Sequence, residues 1–205
     1  EVEKITDISM VKFTPNESLI EYLDERFDDI YIDKILGLSL SPELIKKHKD
    51  LKFVYTPIHG TGGQIIPRLF KKAGFNNIDC VEEQMIVDGN FPTVVSPNPE
   101  EKAALTMAIE KAKKVNADVV LATDPDADRL GIYAKDSKTG EYMTYTGNMS
   151  ALLIAEYRLS QMKEKGILPS NGALVTTIVS SNMAKPISEK YNLKLIETLT
   201  GFKYI

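Results

Sequence analysis

From residue 51 onward, the chain alternates short apolar runs with amphipathic stretches. Residues 51–56 and 118–123 are predicted strands, and the second run is continuously apolar, as in a strand buried on both faces of a parallel sheet. Between them, apolar positions spaced three and four residues apart predict helices over residues 65–73 and 98–112. Strands that alternate with helices in this way predict crossover units. We therefore expect an α/β protein with a mixed, mostly parallel sheet flanked by helices.

A second stretch with the same plan follows. It comes after a predicted strand over residues 130–134 and consists of a long helix over 148–165, a strand over 172–179, a helix over 182–191 and a strand over 193–199. We expect two consecutive α/β units, one over residues 31–143 and one over residues 144–205. Residues 1–30 are a predicted connector, within which residues 5–13 have the composition of a strand. Because the chain opens without methionine and stops just after a strand, we expect a piece of a longer protein with its second unit truncated.

Composition narrows the class of protein. The 205 residues carry 25 Lys and Arg against 29 Asp and Glu, a net charge of −4, which disfavours nucleic-acid binding because that needs a clustered basic excess. No apolar run approaches the roughly 20 residues that span a bilayer, so we expect no membrane partner and a cytoplasmic location. With only two histidines, the chain cannot have a His-rich metal site, and its single cysteine cannot form an internal disulfide.

One segment places acidic side chains directly after a buried strand. Asp124, Asp126 and Asp128 occupy alternate positions there, and Arg129 follows them. Pro125 disfavours a helix, so side chains two residues apart can converge on one side of the loop. At about 5 Å and an effective dielectric of ~20, each carboxylate pair repels by roughly 3 kcal/mol, which requires a compensating cation. An oxygen-only ligand set favours Mg²⁺ over Zn²⁺, and ligands bind at the carboxyl ends of strands in open α/β sheets.

Other interpretations of this loop are weaker. A solvated acidic turn does not account for the adjacent Arg129, whose five donors suit a phosphoryl group. An EF-hand calcium loop needs Gly at its sixth position and Glu at its twelfth, where this chain has Arg129 and Lys135. A haloacid-dehalogenase-type phosphotransferase also places Asp-x-Asp after a buried strand, and its nucleophile would be Asp124. Asp128 stands where that class usually has Thr or Val, which weakens this alternative without removing it.

The acidic loop resembles the metal-binding loop of the α-D-phosphohexomutases, the phosphoglucomutase and phosphomannomutase superfamily. Four further segments agree with that family and follow its order: Tyr55-Thr56-Pro57-Ile58-His59-Gly60-Thr61-Gly62-Gly63, Asp88-Gly89-Asn90-Phe91-Pro92, Ser96-Pro97-Asn98-Pro99-Glu100 and Thr198-Leu199-Thr200-Gly201-Phe202-Lys203. Four domains surround one cleft in this family. The resemblance therefore implies the second domain, the beginning of the third, and a connector from the first.

The resemblance also implies roles for the residues of the loop. Asp124, Asp126 and Asp128 would be the three protein ligands of Mg²⁺, and a phosphoryl oxygen on a phosphoserine of the first domain would be the fourth. Arg129, together with Asp128, would contact the phosphoryl group and the bound sugar bisphosphate. The family's serine loop, Ser followed by His-Asn-Pro, is absent from these 205 residues, so no catalytic nucleophile is expected in the chain.

The implied activity is that of a phosphohexose mutase. It would bind hexose phosphates and glucose 1,6-bisphosphate and convert glucose 1-phosphate to glucose 6-phosphate through the phosphoserine. Thr200 and Gly201 would help to seat the sugar, and the form Thr-Gly-Phe-Lys is closer to the glucose-type than to the mannose-type enzymes. The parent protein could also be a phosphomannomutase or a phosphopentomutase, and both alternatives stay open. The chain alone would behave as a non-catalytic module that binds Mg²⁺.

A glycine-rich turn, Gly60-Thr61-Gly62-Gly63, follows the first predicted strand. Its spacing is neither that of the P-loop nor that of the dinucleotide fingerprint, since no Gly-Lys-Ser/Thr follows. A tight turn with close backbone packing is favoured over direct contact with phosphate. His59 lies at the same strand end, and a role as catalytic base is the less favoured interpretation.

Overall fold

Seven strands form two sheets in the computed structural model, which describes residues 2–205. The first sheet has the order β2-β1-β3-β4-β5 and consists of β1 (Lys52–Thr56), β2 (Asn77–Cys80), β3 (Val119–Thr123), β4 (Leu130–Lys135) and β5 (Tyr142–Tyr145). The second sheet pairs β6 (Ala173–Thr177) with β7 (Lys194–Thr198). The predicted repetition of strand and helix is thus present in both halves of the chain.

Six α-helices accompany the strands in the described part of the chain. They are α1 (Glu25–Leu36), α2 (Pro42–Lys47), α3 (Gly62–Ala73), α4 (Thr106–Val115), α5 (Gly147–Glu164) and α6 (Ala184–Lys190). Side chains cap the start of α1 and α5, whereas the other four helices begin without a side-chain cap. The Asp24 side chain accepts from the N–H of Arg26 at the start of α1, and Gly74, with φ of 107°, ends α3 in the left-handed conformation.

The pairing of the strands divides the first sheet into a parallel and an antiparallel part. β1 runs parallel to both β2 and β3, whereas β4 is antiparallel to β3 and β5 is antiparallel to β4. β6 and β7 are parallel. Three of the five pairings are therefore parallel, which confirms the predicted α/β fold with a mixed, mostly parallel sheet.

Helices cover both faces of the first sheet. Val54 and Val120 belong to a buried apolar cluster that includes Leu105 and Ala108 from the region of α4. The neighbouring Phe53 points to the opposite face, where its ring meets Phe70 of α3 with the centroids 5.5 Å apart. Because successive residues of a strand face opposite sides of the sheet, a single strand packs against the helices on both faces. Of the helices in residues 2–205, none combines the length and hydropathy that crossing a bilayer demands.

Two predicted elements were wrong. Residues 5–13 form no strand, because no neighbouring strand offers them backbone partners. They are exposed and contain a short 3-10 helix, Ile8–Met10. The helix predicted from residue 98 begins instead at Thr106. Residues 98–105 form successive turns with hydrogen bonds from Ala104 N to Glu101 O and from Leu105 N to Lys102 O. Here the Asn-Pro cap signal starts turns and not a helix.

The boundary predicted after residue 143 lies within β5, which pairs with the first sheet. The chain then enters α5 after Thr146, whose side chain accepts from the N–H of Met149. The division into a connector and two units over 31–143 and 144–205 stays a prediction.

Close backbone packing fixes the antiparallel part of the sheet against residues 96–101. A Cβ added to Gly131 of β4 would lie 2.2 Å from the carbonyl oxygen of Pro99 and 2.9 Å from its carbonyl carbon. No side chain can be placed there without moving the backbone. Gly131 is therefore the residue that lets β4 and this segment approach each other.

We expect Gly131→Ala to lower the free energy of unfolding by about 2–3 kcal/mol, because the added methyl group overpacks a buried contact. Urea denaturation of the purified chain measures the change. Gly89→Ala is the matched control: its Cβ would meet no atom within 4 Å, and its expected effect is below about 0.5 kcal/mol. Equal stability of wild type and Gly131→Ala would contradict the packing described.

Candidate metal and phosphoryl site

The acidic loop is the connection between β3 and its antiparallel partner β4. Residues 124–129 leave the carboxyl end of β3, which is paired in parallel with β1, and return into β4. The end of β3 is fixed by a buried hydrogen bond of 2.8 Å between Thr123 Oγ1 and Tyr55 OH of β1. The loop thus begins from a rigid point at the strand edge where open α/β sheets bind their ligands.

Asp124 is the buried member of the loop, with a side chain only 3% exposed. Its Oδ1 accepts from the backbone N–H of Arg129 at 3.0 Å, and its Oδ2 accepts from Arg129 Nε at 2.7 Å. These bonds close the loop on itself across five residues. Each carboxylate oxygen keeps a second lone pair, so the two bonds do not prevent Asp124 from binding a cation.

The three predicted ligands converge. Asp124, Asp126 and Asp128 each offer a carboxylate oxygen, and the three atoms lie within 4.8 Å of one another. A turn brings them together: the N–H of Ala127 donates to Asp124 O at 3.0 Å, and Ala127 adopts φ of 62°, which is unusual for a residue with a side chain. The side chains of Asp126 and Asp128 are exposed, and Asp128 Oδ1 lies 3.8 Å from Arg129 Nε.

The charges of the loop are unevenly balanced. Burial raises the pKa of Asp124, but hydrogen bonds and the positive charge of Arg129 outweigh it, so the pKa of this carboxyl lies below its ordinary value. The pKa of Asp128 is raised, first by repulsion from the charge of Asp126 and then by burial and by Asp124. Arg129 therefore neutralises Asp124, and the repulsion between the two exposed carboxylates remains.

The glycine-rich turn after β1 packs against Pro125 of the acidic loop, a contact that its sequence alone does not specify. The backbone N–H of Thr61 donates to Pro125 O at 2.8 Å, and Thr61 Oγ1 donates to the same oxygen at 3.1 Å. A Cβ on Gly60 would lie 2.3 Å from Pro125 Cα. The close backbone packing that the sequence favours for this turn is therefore made against the acidic loop.

Asn98 is a second contact that sequence reasoning did not assign. Its Oδ1 lies 3.5 Å from Arg129 Nη1 and also accepts from the N–H of Glu100 at 3.1 Å. The Asn-Pro signal identified a cap at this position, but it contains no information about contact with Arg129, which is 31 residues away. The Arg129 side chain remains 54% exposed.

Thr200 and Gly201 lie elsewhere. They follow β7 of the second sheet, both are exposed, and Gly201 adopts φ of 123°. Within residues 2–205, no hydrogen bond or ion pair joins either residue to the acidic loop. The structure brings Asp124, Asp126, Asp128 and Arg129 together and leaves the other two predicted site residues at a separate strand end.

Comparison with known proteins agrees with this architecture. The family profile for phosphoglucomutase/phosphomannomutase, alpha/beta/alpha domain II, matches residues 29–139, and that for alpha/beta/alpha domain III matches residues 146–205. A probable phosphomannomutase of Haemophilus influenzae is 39% identical over 89% of this chain and 36% of its own length. A phosphoglucomutase of Staphylococcus epidermidis is 40% identical over 94% of this chain and 34% of its own length.

A solved structure shows the same fold. The phosphoglucomutase/phosphomannomutase family protein of Burkholderia thailandensis superposes with a TM-score of 0.63 at 26% identity, over 90% of this chain and 35% of that chain. The matched profiles and the shared fold identify the two halves of the chain with the α/β/α domains II and III of one enzyme family. The chain belongs to the phosphoglucomutase/phosphomannomutase family, and it spans about a third of the length of the curated relatives cited above.

The opposite pKa shifts of Asp124 and Asp128 predict opposite effects of neutralising them in the absence of divalent metal. Because the pKa of Asp124 is lower in the folded chain, its charge stabilises the fold above about pH 4, and this contribution is lost as the pH falls through the folded pKa. Asp124→Asn should cost about 1–2 kcal/mol at pH 7, since it weakens charge-assisted hydrogen bonds, and much less at pH 3.

Asp128→Asn should stabilise the metal-free chain at pH 7, because the raised pKa means that its ionised form is repelled in the folded state. That gain should vanish below about pH 4, where the wild-type carboxyl is itself protonated. Urea midpoints at pH 7 and pH 3 test both variants, with the exposed Asp50→Asn as control. The same sign of effect for Asp124→Asn and Asp128→Asn at pH 7 would contradict the charge balance.

Proposed function

We propose that this chain supplies the Mg²⁺-binding central part of a phosphohexose mutase. The observation that carries the proposal is the convergence of three carboxylates at the end of β3, next to a half-exposed arginine. Asp124, Asp126 and Asp128 are the proposed protein ligands of the ion. Membership of the phosphoglucomutase/phosphomannomutase family supports this assignment, since a mutase must position a phosphoryl group.

The donor set fits Mg²⁺. An octahedral ion with Mg–O distances of 2.0–2.1 Å places neighbouring ligand atoms roughly 3 Å apart and opposite ones about 4.2 Å apart. The carboxylate oxygens of the loop lie within 4.8 Å of one another, so small rotations of the exposed Asp126 and Asp128 side chains are sufficient. The solved N-acetylphosphoglucosamine mutase of Aspergillus fumigatus, a more distant relative in sequence (TM-score 0.50, 19% identity), contains GlcNAc-6P and magnesium.

Each side chain of the loop has its own proposed role in phosphoryl transfer. When bound, Mg²⁺ would supply a Lewis acid that withdraws charge from a phosphoryl oxygen. Asp124 holds Arg129 through Nε, which orients the guanidinium toward the loop and leaves its outer donors for the phosphoryl group. Asp128 lies beside Arg129 in the loop, next to the proposed position of the phosphoryl group. Charge stabilisation of this kind is the main contribution that a protein makes to phosphoryl transfer.

The proposed substrates are hexose phosphates, with glucose 1-phosphate and glucose 6-phosphate favoured and glucose 1,6-bisphosphate as the intermediate. Thr200 and Gly201 are proposed to seat the sugar once the two strand ends face a common cleft. The named relatives include both a phosphoglucomutase and a probable phosphomannomutase, so mannose phosphates are the nearest alternative. The phosphoserine is proposed to come from a part of the protein outside these 205 residues.

The geometry disfavours the alternative in which Asp124 attacks phosphate itself. Both of its oxygens accept hydrogen bonds from Arg129, and the residue is 2% exposed. A nucleophile needs an accessible oxygen within reach of the phosphorus atom. As a ligand, by contrast, Asp124 only has to direct one lone pair at a small ion between the three converging carboxylates, whereas attack requires a whole phosphoryl group to reach the buried oxygen.

We expect the chain to bind one Mn²⁺ ion, displaced by Mg²⁺, and Asp126→Asn to weaken Mn²⁺ binding by about tenfold or more, since it removes an anionic ligand. The electron paramagnetic resonance signal of free Mn²⁺ measures the affinity. Asp50→Asn is the matched control, because it removes the same charge at the opposite edge of the sheet, ahead of β1. Equal Mn²⁺ affinity of the two variants would overturn the metal assignment.

The whole protein should convert glucose 1-phosphate to glucose 6-phosphate with a dependence on Mg²⁺, whereas the purified 205-residue chain should show no conversion. A coupled glucose 6-phosphate dehydrogenase assay measures both. Conversion by the chain alone would contradict the proposal that the nucleophile lies elsewhere. Detection of phosphoaspartate at Asp124 after incubation with substrate would favour the hydrolytic phosphotransferase instead.

A further inference from the structure

Four polar side chains near the acidic loop are joined in series by hydrogen bonds. None of them has a role in the phosphoryl transfer proposed above. Thr56 Oγ1 donates to Gln84 Oε1 at 2.7 Å, and Gln84 Nε2 donates to Thr93 Oγ1 at 3.0 Å. Thr93 Oγ1 lies 2.9 Å from His59 Nε2, and His59 Nδ1 lies 2.8 Å from the carbonyl oxygen of Ile86. We call Thr56, Gln84, Thr93 and His59 the latch.

The latch has one consistent direction of hydrogen bonding. A carbonyl oxygen only accepts, so His59 Nδ1 carries a proton, and in the neutral imidazole Nε2 is then the acceptor for the Thr93 hydroxyl. The Thr93 oxygen in turn accepts from the Gln84 amide. Thr56 and Gln84 are fully buried and His59 is only 3% exposed, so each of these polar groups depends on its partner in the latch.

The latch holds a strained piece of backbone. Ile58 adopts φ of 48° and His59 φ of 63°, and a β-branched residue in this region is an outlier. The N–H of Ile58 donates to Thr56 Oγ1 at 3.0 Å, and the N–H of His59 donates to Gln84 O at 2.8 Å. A strained conformation persists only where the surrounding contacts impose it, and the latch supplies those contacts.

The strained residues lead directly to the support of the acidic loop. The two following residues, Gly60 and Thr61, contact Pro125 through the close backbone approach and the two hydrogen bonds to Pro125 O described above. Pro125 lies between two of the converging carboxylates, those of Asp124 and Asp126. A shift of the backbone at His59 would therefore be transmitted to the spacing of the proposed ligands.

We propose that the latch positions the acidic loop and that His59 is a positioning residue, acting through Gly60, Thr61 and Pro125. The consequence for metal affinity rests on the proposed function, but the positioning itself concerns the chain without metal. The two can therefore be tested separately.

Thr93→Val tests the latch, because Thr93 is exposed and its replacement removes only the hydroxyl that joins His59 to Gln84. Hydrogen exchange of the metal-free chain, measured on peptides covering residues 123–130, should be about tenfold faster in this variant, since the loop opens more readily. Exchange within α5 should not change. Thr93→Ser keeps the hydroxyl and should restore the wild-type rate.

Thr139→Val is the matched control. Thr139 is exposed in the turn between β4 and β5, where its Oγ1 accepts from the N–H of Glu141 at 3.3 Å. This substitution removes a hydroxyl at the opposite edge of the sheet and should leave exchange over residues 123–130 unchanged. His59→Asn should accelerate exchange as Thr93→Val does, and the effects in the double variant should be less than additive, because both changes break the bond between His59 and Thr93.

The affinity for Mn²⁺ gives the second readout. Thr93→Val should weaken Mn²⁺ binding by about three- to tenfold, since the carboxylates must be reordered on binding, while Thr93→Ser and Thr139→Val should not. Unchanged exchange over residues 123–130 in Thr93→Val and His59→Asn would overturn the latch, whatever the chain binds. Accelerated exchange in a chain that does not bind Mn²⁺ would support the latch and overturn the proposed metal site.

Discussion

The bond between Asp124 and Arg129 determines how the acidic loop can carry three negative charges. Arg129 binds both oxygens of the buried carboxylate through its backbone N–H and its Nε, and it holds the pKa of Asp124 below the ordinary value despite burial. Without that contact, Asp124 would be a buried and unpaired charge, which is among the costliest features a fold can contain. With it, the repulsion that remains acts on the exposed Asp128, first from Asp126 and also from Asp124, on the side of the loop that a cation can reach.

The first sheet holds this loop at a fixed place. β3 is paired in parallel with β1 and antiparallel with β4, so the loop starts from a central strand and returns next to it. The segment that approaches Gly131 and Arg129 also reaches the second half of the chain: a Cβ on Gly147, at the start of α5, would lie 2.9 Å from Glu100 Oε1. The segment around residues 98–100 thus contacts both Arg129 and the start of α5.

Much of this arrangement could be predicted from local sequence. Short stretches of sequence are enough to recognise the apolar strand at residues 118–123, the alternate carboxylates and the glycine turn. Each of them depends on the order of neighbouring residues, so a local pattern predicts it. The contact of Asn98 with Arg129 and the His59–Thr93 hydrogen bond join residues 31 and 34 positions apart, which no local pattern encodes. The Asn-Pro signal at residue 98 does not start a helix: residues 98–105 form turns, and within them Pro99 packs against Gly131 of β4. The assignment of Thr200 and Gly201 to the site stays a prediction.

The most direct test of the central claim is anomalous scattering from crystals of the chain grown with Mn²⁺ and measured at the manganese absorption edge. One anomalous peak bound by oxygens of Asp124, Asp126 and Asp128, and lost in crystals of Asp126→Asn, is the predicted result. Absence of a peak at the acidic loop at millimolar Mn²⁺, or a peak that is unchanged in Asp126→Asn, would contradict the claim that the loop is a divalent metal site.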